Sequence, residues 1–161
     1  MIYNIVRKYI KKENIVDELA VKKEELKEFM LKEIEIIQDI IKRMASNSFA
    51  IKRWTIALVI ITLLLKGSKY QVLLAFIPIL VFWFLDAYFL WQERLYRRLY
   101  NWVIKNRMNT DEYLFDMNAY RFKNEEQSIL GVMFSITLLL FYGSLFILIL
   151  IYFTLIYFNI L

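Results

Sequence analysis

The sequence predicts an all-α membrane protein with three or four transmembrane helices, and with cytoplasmic helices before the first crossing and between the second and third. Three observations carry that expectation. Apolar residues make up 60% of the 161 residues and aromatics 17%, well above the roughly 45–50% apolar content of soluble domains. With a mean hydropathy of +0.44, the excess does not fit into one small water-soluble core. The apolar residues are also gathered into long runs, and three glycines and one proline leave little turn chemistry for a β-rich fold.

Residues 1–48 read as a cytoplasmic helical region. Residues 1–53 carry 12 Lys/Arg and 9 Asp/Glu, an ordinary density for a segment facing water. Within it Leu26, Met30, Ile34, Ile37, Ile41 and Met44 recur at helical spacing, and Phe29, Ile36 and Ile40 widen the stripe. That face needs a partner: either copies of itself in a bundle beneath the membrane, or the helix that follows Trp91. Ser46-Asn47-Ser48 reads as a kink or a helix restart.

Residues 49–91 read as a transmembrane hairpin. The run 54–65 has no charge, and the run 72–91 has one, Asp86. A bilayer core about 30 Å thick takes about 20 helical residues. The second run meets that length, and the first does so when extended back to Phe49, with Lys52 and Arg53 stretching toward the headgroups. Pro78 lacks an N–H, so a kink is expected in the second crossing. The last 33 residues, 129–161, carry no charge at all and would reach roughly 50 Å as one helix. One helix that starts at the interface and then crosses is favoured over a hairpin turning at Gly143-Ser144, because a tight turn in hydrocarbon strands backbone polar groups. Nine Lys/Arg flank one side (Lys42, Arg43, Lys52, Arg53, Arg94, Arg97, Arg98, Lys105, Arg107) against Lys66 and Lys69 on the other. The N-terminus and residues 92–128 are therefore expected on the cytoplasmic side.

Residues 92–128 form the basic and aromatic region. On a helix Arg94, Arg97, Arg98, Asn101 and Lys105 share one face, and Leu95, Leu99, Trp102 and Val103 share the other. One account is a helix skimming the membrane with its cations on anionic headgroups. The other is an anion site in which several copies concentrate arginines around a phosphate chain, while Tyr96, Tyr100 and Trp102 stack bases. Lys52 and Arg53, at the same membrane edge, join this candidate ligand-binding set. Residues 109–128 are expected to pack on the other cytoplasmic helices. The adjacent acidic pairs Glu24-Glu25, Asp111-Glu112 and Glu125-Glu126 read as solvated charge.

The chemistry excluded is extensive. The chain has no cysteine and no histidine, which removes thiol catalysis, imidazole bases and thiolate or imidazole metal ligands. No enzymatic activity, cofactor or metal is expected. Asp86 is the one ionisable residue in the apolar runs, and it serves either as a partner for Lys52, Arg53 or Arg94 or as a pore-mouth or gating group. Ser135 and Thr137 are the other candidate pore residues. Membrane hydroxyls are sparse, so any pore would be narrow and formed between subunits.

Three stretches have a familiar order: Met44-Ala-Ser-Asn-Ser-Phe-Ala-Ile-Lys-Arg-Trp54, then Phe84-Leu-Asp-Ala-Tyr-Phe-Leu-Trp-Gln-Glu-Arg-Leu-Tyr-Arg-Arg-Leu-Tyr100, then Phe134-Ser-Ile-Thr-Leu-Leu-Leu-Phe-Tyr-Gly143. Across residues 44–145 the chain resembles the membrane effectors of Hailong-type anti-phage systems, small bacterial proteins encoded beside nucleotidyltransferases. It is similar more broadly to the SLATT effectors of nucleotide-signalling systems. The resemblance implies a homo-oligomeric ion channel in the bacterial inner membrane, with a nucleotidyltransferase as functional partner. It also implies a nucleotide or single-stranded DNA oligomer as the gating ligand. The other expectation is a membrane-anchored scaffold that docks a soluble protein without conducting ions.

Overall fold

The computed structural model describes the backbone of residues 2–64 and 69–158 and the side chains of 19–64, 70 and 72–158. Four helices and two 3-10 segments account for most of it: α1 (Ile2–Leu64), a 3-10 segment (Lys69–Ala75), α2 (Phe76–Asn106), a second 3-10 segment (Ala119–Glu125), α3 (Ile129–Met133) and α4 (Ile136–Tyr157). No strand occurs among the described residues. Three helices, α1, α2 and α4, are long and apolar enough to cross a membrane. The fold is thus all-α with three crossings.

α1 is a single helix of 63 residues, roughly 95 Å at 1.5 Å per residue. The expected break at Ser46-Asn47-Ser48 does not form. Ser48 is buried and its hydroxyl donates to Asp86 of α2, so the side chain bonds across the interface and does not compete with its own backbone. Residues on both sides of position 48 therefore belong to one continuous helix.

α2 runs antiparallel to α1. Contacts pair Lys52 and Ser48 with Asp86, Gln38 with Tyr100 and Glu33 with Arg107, so the α2 partner number rises as the α1 number falls. Most of the 24–44 stripe is spent in this pairing, while Ile36 stays exposed. Ile37 belongs to the same buried cluster as Leu95, Leu99 and Val103, with Met30, Ile34 and Ile41 packed against it. The intramolecular alternative is the one that forms. α2 also continues without a break from the membrane segment into residues 92–106, which corrects the membrane-skimming reading: its apolar face lies on α1, not on lipid.

Pro78 produces no mid-helix kink. It is the third residue of α2, directly after the 3-10 segment, where backbone N–H groups have no intrahelical acceptor to lose. Gly143-Ser144 likewise produces no hairpin, because α4 passes straight through it. The apolar run breaks earlier. Phe134 ends α3 and Ser135 is extended, with φ −63° and ψ 148°. The break frees the Met133 carbonyl, which accepts the Trp83 indole N–H at 2.9 Å. α4 then has 22 residues, roughly 33 Å.

Outside the membrane segments, one ion pair fixes the loop after α2. Arg107 and Glu33 are 0% and 1% exposed. The Arg107 guanidinium uses all five N–H groups: Nε and Nη2 on the two Glu33 oxygens, the second Nη2 proton on the Tyr113 carbonyl at 3.1 Å, and Nη1 on the carbonyls of Thr110 and Glu112 at 3.0 and 2.7 Å. Glu33 accepts further from the Phe115 backbone N–H at 2.8 Å. This grip holds Tyr113 and Phe115 at φ 55° and 56°, a region that costs non-glycine residues about 1–3 kcal/mol each. Phe115 is further fixed by the Phe29 ring, 5.7 Å away.

A buried pair broken on one side leaves an uncompensated charge, at a cost of about 3–5 kcal/mol. Arg107→Leu alone is therefore expected to lower the thermal unfolding midpoint in detergent sharply. The double variant Glu33→Leu/Arg107→Leu should recover a measurable part of the loss, read by circular dichroism at 222 nm.

Candidate functional site

Two polar constellations stand on the α1–α2 pair, one in the membrane segment and one beyond it. The first is centred on Asp86, which is fully buried. One carboxylate oxygen accepts from the Ser48 hydroxyl. The other meets Lys52 Nζ at 2.6 Å and accepts from the Tyr142 hydroxyl at 3.0 Å. Lys52 also donates to Ser48 Oγ at 2.8 Å. Ser48 and Lys52 come from α1, four residues and one turn apart; Asp86 comes from α2 and Tyr142 from α4. Trp83 stacks on Tyr142 at 5.7 Å with an interplanar angle of 11°. Of the three expected partners for Asp86, Lys52 is the one in place. Arg53 is exposed and lies over the Phe49 ring at 5.0 Å, and Arg94 turns to Glu126.

The second constellation is the basic face of α2. As expected, Arg97, Arg98, Asn101 and Lys105 are exposed while Leu95, Leu99 and Val103 are buried. Its arginines are not equally available. Arg94 and Arg98 share Glu126, at 3.7 and 3.2 Å, and Arg94 also donates to Gln127 at 3.4 Å. The Glu126 side chain is only 11% exposed, which corrects the solvated reading for Glu126, while Glu125 is exposed as expected. Asp111, by contrast, is exposed and pairs loosely with Lys22 at 3.8 Å. Arg97 pairs with Glu93 one turn back at 2.7 Å, and its own side chain is 61% exposed. The Glu93 side chain is only 12% exposed, and Arg97 Nε and Nη2 both serve it, so an outside anion would meet Arg97 at Nη1 with the pair kept.

Arg97 faces a groove of about 350 Å³ between α1 and α2, lined by Gln38, Ile41, Lys42, Arg97, Tyr100 and Asn101. The groove combines two cations, two amides and a phenol: a flat ring for stacking beside donors for an anion. Lys105 continues the row Arg97, Asn101, Lys105 at four-residue steps.

The structure thus divides the residues proposed from sequence. Arg97, Tyr100 and Asn101 come together in the groove. Arg94 and Arg98 are tied to Glu126, and Lys52 is committed to Asp86. Tyr96 is half-buried against the core. Trp102 lies in a different aromatic cluster, with its ring beneath Arg107 and Arg121 at 5.3 and 4.4 Å. Ser135 has a buried, unpartnered hydroxyl at the α3–α4 break, and Thr137 is exposed on the first turn of α4.

Sequence reasoning missed Gln38, Ser48, Glu126 and Tyr142 as functional neighbours. One signal was available for Ser48, which precedes Lys52 by a single turn. None was available for Tyr142, whose partner is 56 positions away. No protein family, curated protein or solved structure matches the chain.

The Asp86 cluster generates a stability expectation. Lys52→Leu leaves a buried carboxylate without its cation and should cost about 3–5 kcal/mol. Lys52→Leu combined with Asp86→Leu should cost less than the single change, measured as the thermal midpoint of detergent-solubilised protein by tryptophan fluorescence. A double variant at least as unstable as the single would mean that the cluster is not governed by charge balance.

Proposed function

We propose that this protein is a homo-oligomeric ion-channel effector of the bacterial inner membrane, with its N-terminus in the cytoplasm. In this reading a nucleotide or short single-stranded DNA oligomer binds the groove beside Arg97 and controls conduction. A nucleotidyltransferase supplies the ligand, and channel opening dissipates the membrane potential of a phage-infected cell. The defence role and the enzyme partner come from the resemblance over residues 44–145.

The observation that carries the proposal is the continuity of α2. The same unbroken helix presents Arg97, Tyr100 and Asn101 to the groove and Asp86 to the membrane cluster. The two are 11 residues apart, roughly 16 Å along the axis. A ligand that draws α2 toward Gln38 and Lys42 acts directly on the helix that carries the buried carboxylate. The geometry favours Lys42, Arg97, Tyr100 and Asn101 as first ligand contacts, with Lys105 further along the row. Arg94 and Arg98 would have to leave Glu126 before contributing.

The monomer supports a pore between copies. Val59, Ile79, Leu138, Tyr142 and Ile149 are buried in the three-helix bundle, which leaves conduction to surfaces between subunits. Thr137 is exposed on the monomer and so open to such a surface, whereas the Ser135 hydroxyl is buried. An adaptor would have only the exposed part of the 24–44 stripe, such as Ile36, to offer a partner, since Ile37 is buried in the monomer.

Purified protein in planar bilayers should give discrete conductance. A synthetic short oligodeoxynucleotide should change the open fraction, with binding that weakens steeply as salt rises. Lys42→Ala/Arg97→Ala should weaken that binding at least tenfold and flatten its salt dependence, leaving unliganded conductance in place. A non-conducting monomer would overturn the proposal. For orientation, the chain has no native cysteine, so single-cysteine variants report cleanly. In intact spheroplasts an impermeant maleimide should label Phe158→Cys and spare Lys123→Cys.

A further inference from the structure

Arg121 is the one guanidinium among the described residues whose three nitrogens are all buried without a hydrogen-bond partner. The other buried guanidinium, Arg107, satisfies all five of its N–H groups. Arg121 is instead boxed by rings: Trp102 at 4.4 Å, Tyr113 at 4.6 Å and Phe122 at 5.0 Å from its central carbon. Ring faces attract a cation but offer no acceptors in the guanidinium plane. A buried, always-charged group with its donors unmet is costly. Its planar fork is suited to the two oxygens of a phosphate.

The box has one movable wall. Trp102 is half-buried on α2 and Phe122 is buried, while Tyr113 is 50% exposed. Tyr113 also sits at φ 55°, and its carbonyl is held by Arg107. Its backbone is therefore fixed, and the ring alone can turn outward. Turning it would open the guanidinium to water at a place distinct from the α1–α2 groove, none of whose lining residues belongs to the box.

We propose that Arg121, under the Tyr113 ring, is a second anion-binding site that takes a phosphate monoester when Tyr113 swings out. The phosphate accepts from the Arg121 fork, and any ring it carries stacks on Trp102. Free phosphate esters and lipid headgroups share this chemistry, and position along α2 separates them. Trp102 is 11 residues beyond Trp91, where the apolar run ends, roughly 16 Å. The headgroup layer adds only about 5–7 Å to each side of the hydrocarbon. The ligand is therefore a water-soluble ester. The site does not depend on the protein conducting ions or on the groove binding an oligomer.

The test is calorimetric titration of the full chain in detergent with AMP and, separately, inorganic phosphate. Wild type should bind AMP with one site per chain that Lys42→Ala/Arg97→Ala leaves intact and Arg121→Gln weakens tenfold or more. Tyr113→Ala, which removes the wall but keeps the fork, should tighten inorganic phosphate severalfold; this arm decides the matter should Arg121→Gln fail to fold. Unchanged phosphate binding in Tyr113→Ala, or AMP binding lost with the groove variant, would overturn the assignment. So would phosphatidic acid in nanodiscs competing fully with AMP, since the site would then be a lipid site.

Discussion

The carboxylate of Asp86 is the point on which the three membrane helices converge. In lipid, helices gain little from bringing apolar faces together, because the tails are as apolar as the side chains they replace. Association then rests on close packing and on the few polar groups that have nowhere else to go. Asp86 takes Ser48 and Lys52 from α1 and Tyr142 from α4, so it joins α2 to both neighbours at once. The aromatic packing of Trp83 on Tyr142 and of Phe76 on Phe146 at 4.5 Å surrounds a tie that it does not replace.

Glu33 and Arg107 do for the juxtamembrane end what Asp86 does for the membrane. Both pairs join α1 to α2, and both are almost withdrawn from water. Two fixed points on a pair of antiparallel helices set their register, and sliding by one turn would break both together. The Arg97 groove lies between these points. Ile41 is its apolar lining residue, beside the polar side chains of Gln38, Lys42, Arg97, Tyr100 and Asn101. A rigid frame with a polar lining suits recognition of a flexible anion.

Much of this was legible from local pattern. The apolar runs gave three crossings, and the spacing of Leu26 through Met44 gave a helix with one sticky face. The two-sided character of residues 94–105 also followed from periodicity. The misreadings share a cause: each rested on a residue's intrinsic habit, which tertiary contact overrode. Ser48 bonds to a neighbouring helix instead of bending its own, and Pro78 sits where helices tolerate proline. Phe134-Ser135, with no obvious breaker, interrupts the last run, and the Trp83 indole N–H donates to the carbonyl that is freed. Glu33 had a usable signal, as a charge at a position where the Leu26–Met30–Ile37 stripe calls for an apolar side chain. Arg121 had none, since its surroundings come from a loop and a distant helix.

The break at Ser135 has a mechanical consequence. By shortening 33 apolar residues to a 22-residue span, it leaves α4 close to the thickness of a typical hydrocarbon core, with little slack for tilting. α1 and α2 differ, since each continues well past the lipid as part of a longer helix. α4 thus has the least spare length of the three to absorb a change in bilayer thickness, and Tyr142 ties it directly to Asp86.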